Sequence, residues 1–174
     1  MRVAVVHTAD LDGAARAEVR ELLDRAFDGE LTDDDWEHCL GGLHALAREG
    51  GDLVAHAALV QRRLLHGGRV LRTGYVEGVA VRADRRRRGL GGAVMAPLER
   101  AAAAAYDVAA LAATDVALPF YAARGWVLWR GPTSALTPHG LVRTPDADDC
   151  VHVRGPGLDV EGPLACDWRE GDPW

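Results

Sequence analysis

The period of apolar positions changes several times along this 174-residue chain, and each change marks an expected element. Arg2–His7 reads as a strand. Val19, Leu22, Leu23, Ala26 and Phe27 then share one face of a helix over about Gly13–Phe27, with Asp12 where an N-cap belongs. Thr32-Asp33-Asp34-Asp35 has the spacing of a capping box and predicts a short helix ended by Gly41-Gly42. Leu43–Ala47, Leu53–Leu65 and Val70–Val81 follow as strand-like stretches, parted by Glu49-Gly50-Gly51-Asp52 and His66-Gly67-Gly68, the pattern of an antiparallel meander. Ala-rich Leu90–Ala105 predicts a long helix, Val108–Ala113 a strand, Asp115–Arg124 a further helix stopped at Gly125, and Trp126–Trp129 a strand. The Pro- and Gly-rich remainder predicts irregular chain with one short strand near Val151–Val153. No repeat or Gly/Ser-rich linker divides the sequence, so one α+β domain over residues 1–174 is expected.

Composition narrows the class. Apolar residues make up 48% of the chain, enough for a core, yet no apolar run is long enough to span a bilayer. Met1–His7 turns polar too soon for a secretion signal, so a cytoplasmic protein without a membrane partner is expected. Cys39, Cys150 and Cys166 are odd in number and lack metal-ligand spacing, which suggests reduced thiols and no metal. Lysine, asparagine and isoleucine are absent, a bias of codon usage rather than of function. Residues 1–37 carry 11 acidic and 4 basic groups, residues 145–174 carry 8 and 2, and residues 38–144 carry 7 and 14. A basic middle between acidic ends suits a phosphorylated cofactor in one part and a cationic substrate in another; solvated faces of opposite sign account for it equally well.

Candidate chemistry concentrates in Tyr75–Gly92, where an apolar strand enters a loop of arginines and glycines that opens the long helix. Free amides at a helix start bind anions, glycines admit a pyrophosphate closely, and arginines add charge. A P-loop needs lysine, which this chain lacks. A dinucleotide fingerprint needs a parallel β-α-β unit, which the hairpins upstream argue against. An arginine-rich nucleic-acid patch sits poorly with acidic termini that repel a polyanion, so no nucleic-acid partner is expected.

Arg86-Arg87-Arg88-Gly89-Leu90-Gly91 resembles the acyl-CoA loop of the GNAT acetyltransferase superfamily, Arg/Gln-x-x-Gly-x-Gly/Ala after a bulged strand. Phe120-Tyr121-Ala122-Ala123-Arg124-Gly125-Trp126 resembles its late Phe-Tyr-x-x-x-Gly-Phe motif. Leu31–His38, Gly41–Leu46, Gln61–Leu64, Gly74–Val81, Arg130–Ser134, Arg143–Asp146 and Cys166–Trp174 are further similar, in order, to the aminoglycoside 2'-N-acetyltransferases of actinobacteria.

That resemblance implies a GNAT fold with a mixed, mostly antiparallel V-shaped sheet flanked by helices, a homodimer, acetyl-CoA as donor and an aminoglycoside or similar polycationic amine as acceptor. It implies that Val79, Ala80 and Val81 hold the pantetheine, and that Arg86, Arg87, Arg88, Gly89, Leu90, Gly91 and Gly92 hold the pyrophosphate. Glu77 would be the base, directly or through a water, and Tyr121 the acid that protonates the leaving thiolate. Glu30, Asp35, Glu77, Gly78, Asp148 or its near neighbour Asp146, Asp172 and the Trp174 carboxylate would contact the acceptor. Ala147 interrupts the family's run of aspartates, Pro173 replaces a valine, and Ala112 replaces a serine, departures that imply a different substrate range.

Overall fold

The computed structural model describes residues Met1–Trp174 and is α+β, with a mixed, mostly antiparallel sheet and flanking helices. In chain order the elements are β1 (Arg2–His7), α1 (Gly13–Ala26), α2 (Asp33–His38), β2 (Leu43–Glu49), β3 (Asp52–His66), β4 (Arg69–Val81), α3 (Leu90–Ala105), β5 (Val108–Ala112), α4 (Leu118–Ala122), β6 (Val127–Leu128), β7 (Thr133–Thr137), β8 (Gly140–Arg143), β9 (Val151–Arg154) and β10 (Leu164–Asp167). Two compact units divide these residues: Met1–Val60 with Val76–Ala101, and Gln61–Tyr75 with Ala102–Trp174.

In the first unit, β1 pairs antiparallel with β2 and β2 with β3. Asp12 caps α1 by accepting from the Ala15 amide at 2.8 Å, a contact of about 1 kcal/mol. The helix buries Val19, Leu22 and Leu23, each worth roughly 1.5–3 kcal/mol, beside Leu11, Trp36, Cys39, Leu46, Leu53, Ala58 and Ala80. Thr32 and Asp35 form the expected capping box around α2. That helix stops at His38, before Gly41-Gly42, because Cys39 already takes the terminal bonds.

In the second unit the strand order is β6-β9-β5-β4-β3-β10-β7-β8. β5 runs parallel to β4 and β10 parallel to β7, while the β5–β9, β6–β9, β3–β10 and β7–β8 pairs are antiparallel. Arg62 of β3 is buried and reaches Asp167 of β10 from Nε at 2.9 Å, with its guanidinium 4.8 Å from the centre of the Tyr75 ring. Trp129 is buried and donates to the Gly162 carbonyl at 3.0 Å.

Two differences from the sequence pattern stand out. The helix expected over Asp115–Arg124 is a 3₁₀ turn at Asp115–Ala117 followed by the five residues of α4. Pro119 starts this short helix well, and Gly125 at φ 80° stops it. Strands β7, β8 and β10 occupy chain expected to be irregular: β10 pairs with strands far away in sequence, and β7 and β8 form a short hairpin around Pro138-His139 that the Pro- and Gly-rich composition masked. All three cysteines are free thiols, two of them buried. No helix is long and apolar enough to cross a membrane.

Gly78 lies inside β4 with φ 54°, a left-handed backbone that a regular strand does not use. A Cβ there would fall 2.7 Å from Cys39 Sγ. Gly29 also has positive φ but open space around it. Gly78→Ala is therefore expected to cost about 2 kcal/mol and Gly29→Ala about 1 kcal/mol. Urea unfolding of the two variants checks the difference; equal costs would show that contact with Cys39 is immaterial.

Candidate active site

The donor half of the expected site belongs wholly to the first unit. Glu77, Gly78, Val79 and Val81 are half-buried and Ala80 is buried, so this stretch of strand keeps backbone near its surface. The left-handed turn at Gly78 changes which way successive amides point at that place in the strand. Its carbonyl oxygen is taken up by His56 Nδ1 at 2.7 Å.

The arginines beyond the strand divide into two sets. Arg82 bonds Asp84 at 2.7 Å and Asp52 at 3.4 Å, and Arg85 bonds Glu49 at 3.1 Å. Those carboxylates fix the start of the loop. Arg86, Arg87 and Arg88 are exposed, with Arg86 Nε 3.4 Å from the Val81 carbonyl. Arg87 at φ 63° and Gly89 at φ 78° turn the chain twice, and Gly89 supplies the carbonyl that receives the Ala93 amide. A non-glycine residue in that conformation is strained, and such strain gathers at binding loops. The first amides of α3, on Leu90, Gly91 and Gly92, have no partner in their own helix, and the helix dipole reinforces them. Free amides, a glycine turn and three exposed guanidinia fit a pyrophosphate.

The second unit contains a cavity of about 590 Å³. Ala112, Ala113 and Thr114 line one part of it, Arg143–Ala147 and Cys150 another, and Asp172, Pro173 and Trp174 a third. Trp174 is buried, donates from Nε1 to Thr144 at 2.8 Å and is gripped through its main-chain oxygen by Arg169 at 2.7 Å. Asp172 accepts from the Trp174 amide at 2.9 Å. The residues after β10 are thus built into the wall of the cavity. Arg143 is occupied by Asp148, leaving Asp146 and Asp172 to give the cavity its negative charge.

Tyr121 is buried on α4, with the rings of Phe120, Trp126 and His152 centred 5.0, 6.1 and 6.3 Å away. This packing fixes the ring.

The sequence-derived residues are therefore distributed unevenly. Asp172 and Trp174 come together at the cavity, with Asp146 rather than Asp148. Asp148 instead accepts from the Thr133 amide at 2.9 Å, the Thr133 hydroxyl at 2.8 Å and Arg143 at 2.7 Å. In the first unit Asp35 spends its carboxylate on the Thr32 cap at 2.9 Å, and Glu30 is exposed. Sequence reasoning missed Thr144 and Arg169, which hold Trp174, and the buried pair His44 and His56. The pair left a signal, since each histidine interrupts an otherwise apolar strand stretch.

The GNAT acetyltransferase domain model matches residues 10–128, a span that includes the arginine–glycine loop and Tyr121. The chain belongs to the GNAT acetyltransferase family, whose members use acetyl-CoA. Within that family it falls among the aminoglycoside 2'-N-acetyltransferases: it is 48% identical to the enzyme of that name from Mycolicibacterium fortuitum, over 98% of this chain and 90% of that one. Among solved structures, an aminoglycoside 6'-N-acetyltransferase complexed with coenzyme A matches with a TM-score of 0.63 at 14% identity, covering 91% of this chain and all of that one (100%). An acyl-CoA N-acyltransferase from Pseudomonas aeruginosa matches with 0.61 at 20% identity, over 89% and 100%. These two likenesses show the shared fold.

Asp148 gives the second unit an acid signature. The Arg143 guanidinium, followed by the Thr133 amide, holds its carboxyl well below the usual carboxylate range. The native state thus binds this proton more weakly than the unfolded chain. The stability from Asp148 is complete above about pH 4 and is lost as the pH falls toward its low native pKa. Asp148→Asn should flatten the decline of the urea midpoint between about pH 5 and pH 2. A decline identical to that of the parent protein would show that the clamp adds nothing.

Proposed function

We propose that this chain transfers the acetyl group of acetyl-CoA to the 2'-amine of aminoglycosides by direct attack in a ternary complex, residues 1–174 acting as one catalytic domain. The near-full-length relationship to an aminoglycoside 2'-N-acetyltransferase carries this reading. The cavity that presents Asp146 and Asp172 supports it, because an aminoglycoside is a polycation. Ala112, Ala147 and Pro173, the departures from the family pattern, all line that cavity and are read as setting the substrate range.

Acetyl-CoA, when bound, supplies the acyl group as a thioester. In this reading Arg86–Arg88 and the amides of Gly89, Leu90, Gly91 and Gly92 hold the pyrophosphate, while main-chain groups of Val79, Ala80 and Val81 hold the pantetheine. The Val79 N–H donates to the thioester carbonyl as negative charge gathers there. Glu77 takes the proton of the attacking amine through a water, and Tyr121 gives its hydroxyl proton to the departing thiolate. Glu30, Asp35, Asp172 and the Trp174 carboxylate accompany Glu77 and Gly78 as acceptor contacts, and of the two candidates Asp146 and Asp148 the cavity lining favours Asp146. A cytoplasmic homodimer belongs to the same reading. Antibiotic resistance follows from it, because acetylation removes one charge from the drug.

Tyr121→Phe is expected to lower kcat about 100-fold while coenzyme A still binds by calorimetry; full turnover would remove the acid role. Glu77→Gln should flatten the acidic limb of the rate–pH profile, and a limb that persists places the base elsewhere. Thiol release from acetyl-CoA should appear with an aminoglycoside bearing a 2'-amine and vanish with one bearing a 2'-hydroxyl. Turnover with neither would point to another cationic amine as the substrate.

A further inference from the structure

The first unit contains a buried chain of hydrogen bonds that the acetyl-transfer steps above leave unused. His44 and His56 have no solvent exposure, and Thr8 is buried beside them. His56 Nδ1 lies 2.7 Å from the Gly78 carbonyl oxygen, His56 Nε2 lies 2.9 Å from His44 Nδ1, and His44 Nε2 lies 2.8 Å from Thr8 Oγ1.

The far end fixes every proton. A carbonyl can only accept, so His56 carries its hydrogen on Nδ1. Burial keeps both rings neutral, lowering His56 to about 3 and His44 to about 4; His7 and Arg16 push His44 the same way. A neutral His56 then accepts at Nε2, so His44 donates from Nδ1 and accepts at Nε2 from the Thr8 hydroxyl. That commits the hydroxyl proton to His44 rather than to the Gly42 carbonyl at 3.2 Å. The Thr8 oxygen in turn faces the amides of Gly41 at 2.9 Å and Gly42 at 3.2 Å. The bonds run in one direction, from those amides into the carbonyl of Gly78, and aligned bonds polarise one another.

Gly78 C=O and Val79 N–H are the two polar ends of a single planar peptide unit. Holding the carbonyl holds the N–H, and drawing electron density toward the carbonyl oxygen makes the N–H a better donor. We infer that His56, backed by His44 and Thr8, is a positioning residue for acetyl transfer, aiming and polarising the Val79 N–H through the peptide plane it shares with Gly78. This rests on the reading of Val79 as the donor to the thioester carbonyl.

Ring 15N NMR of the intact protein at pH 7 tests the wire without activity. Both histidines are expected as Nδ1–H tautomers; an Nε2–H tautomer or an imidazolium at either overturns the inference. Kinetics tests the role. His56→Leu should lower kcat roughly tenfold, whereas His56→Asn, whose amide nitrogen can stand near the former Nδ1, should recover most of it. Unchanged kcat in a folded His56→Leu, or equal losses in the two variants, overturns the inference. Should His56→Leu fail to fold, His44→Leu, one bond further from Gly78, is expected to lower kcat by a smaller factor, and an unchanged kcat overturns the role. The Val79 amide resonance separates the two layers. If added acetyl-CoA leaves that resonance unmoved, the donor reading and the inference both fall; if it moves while the tautomers are wrong, only the inference falls.

Discussion

The left-handed backbone of Gly78 is the constraint on which the stretch Glu77–Val81 depends. A side chain is excluded there by Cys39 and by the torsion itself, and the carbonyl is fixed by a histidine shut away from water. Between them these contacts decide where the amides of Val79 and the following residues point. Burying two imidazoles in an apolar region is expensive unless their polar atoms are satisfied, and a single directed set of bonds satisfies them. The strand therefore holds an irregular conformation that a lone strand would not keep.

Charge in the molecule is sorted by partnership rather than by count. Arg82 and Arg85 sit beside the arginine–glycine loop but are bound to Asp52, Asp84 and Glu49. Arg86, Arg87 and Arg88 follow immediately and face solvent, available to an anionic ligand. The second unit repeats the division with the opposite sign: Asp148 is consumed by Arg143 and Thr133, whereas Asp146 and Asp172 line the cavity. Neighbours in sequence thus stand in opposite states, one held by partners within the frame and one exposed or lining the cavity.

This sorting explains what the sequence could convey. The long helix α3, the capped helices α1 and α2 and the meander of β2, β3 and β4 were legible because caps, glycine turns and periodicity are local. The arginine–glycine loop was legible for the same reason, as all its parts are consecutive. Strands β7, β8 and β10 were not: β10 has four residues and pairs with strands about 30 and 100 residues earlier, which no short window contains. That Asp146 rather than Asp148 lines the cavity was equally hidden, since it turns on Arg143 and Thr133 occupying one of two similar carboxylates. The histidine wire left only two polar letters in apolar strands, and neither predicts which carbonyl it serves.

The placement of β10 also has a bearing on the order in which the chain can mature during synthesis. β10 lies between β3 and β7, so the β7–β8 hairpin gains its neighbour in the sheet only after residues 164–167 have left the ribosome. The residues of the first unit are all complete by Ala101. A nascent chain that has passed Ala101 therefore holds every residue of the first unit while Leu64–His66 of β3 still lack their β10 neighbour. Such an edge is a template for unwanted pairing, and β10 closes it last.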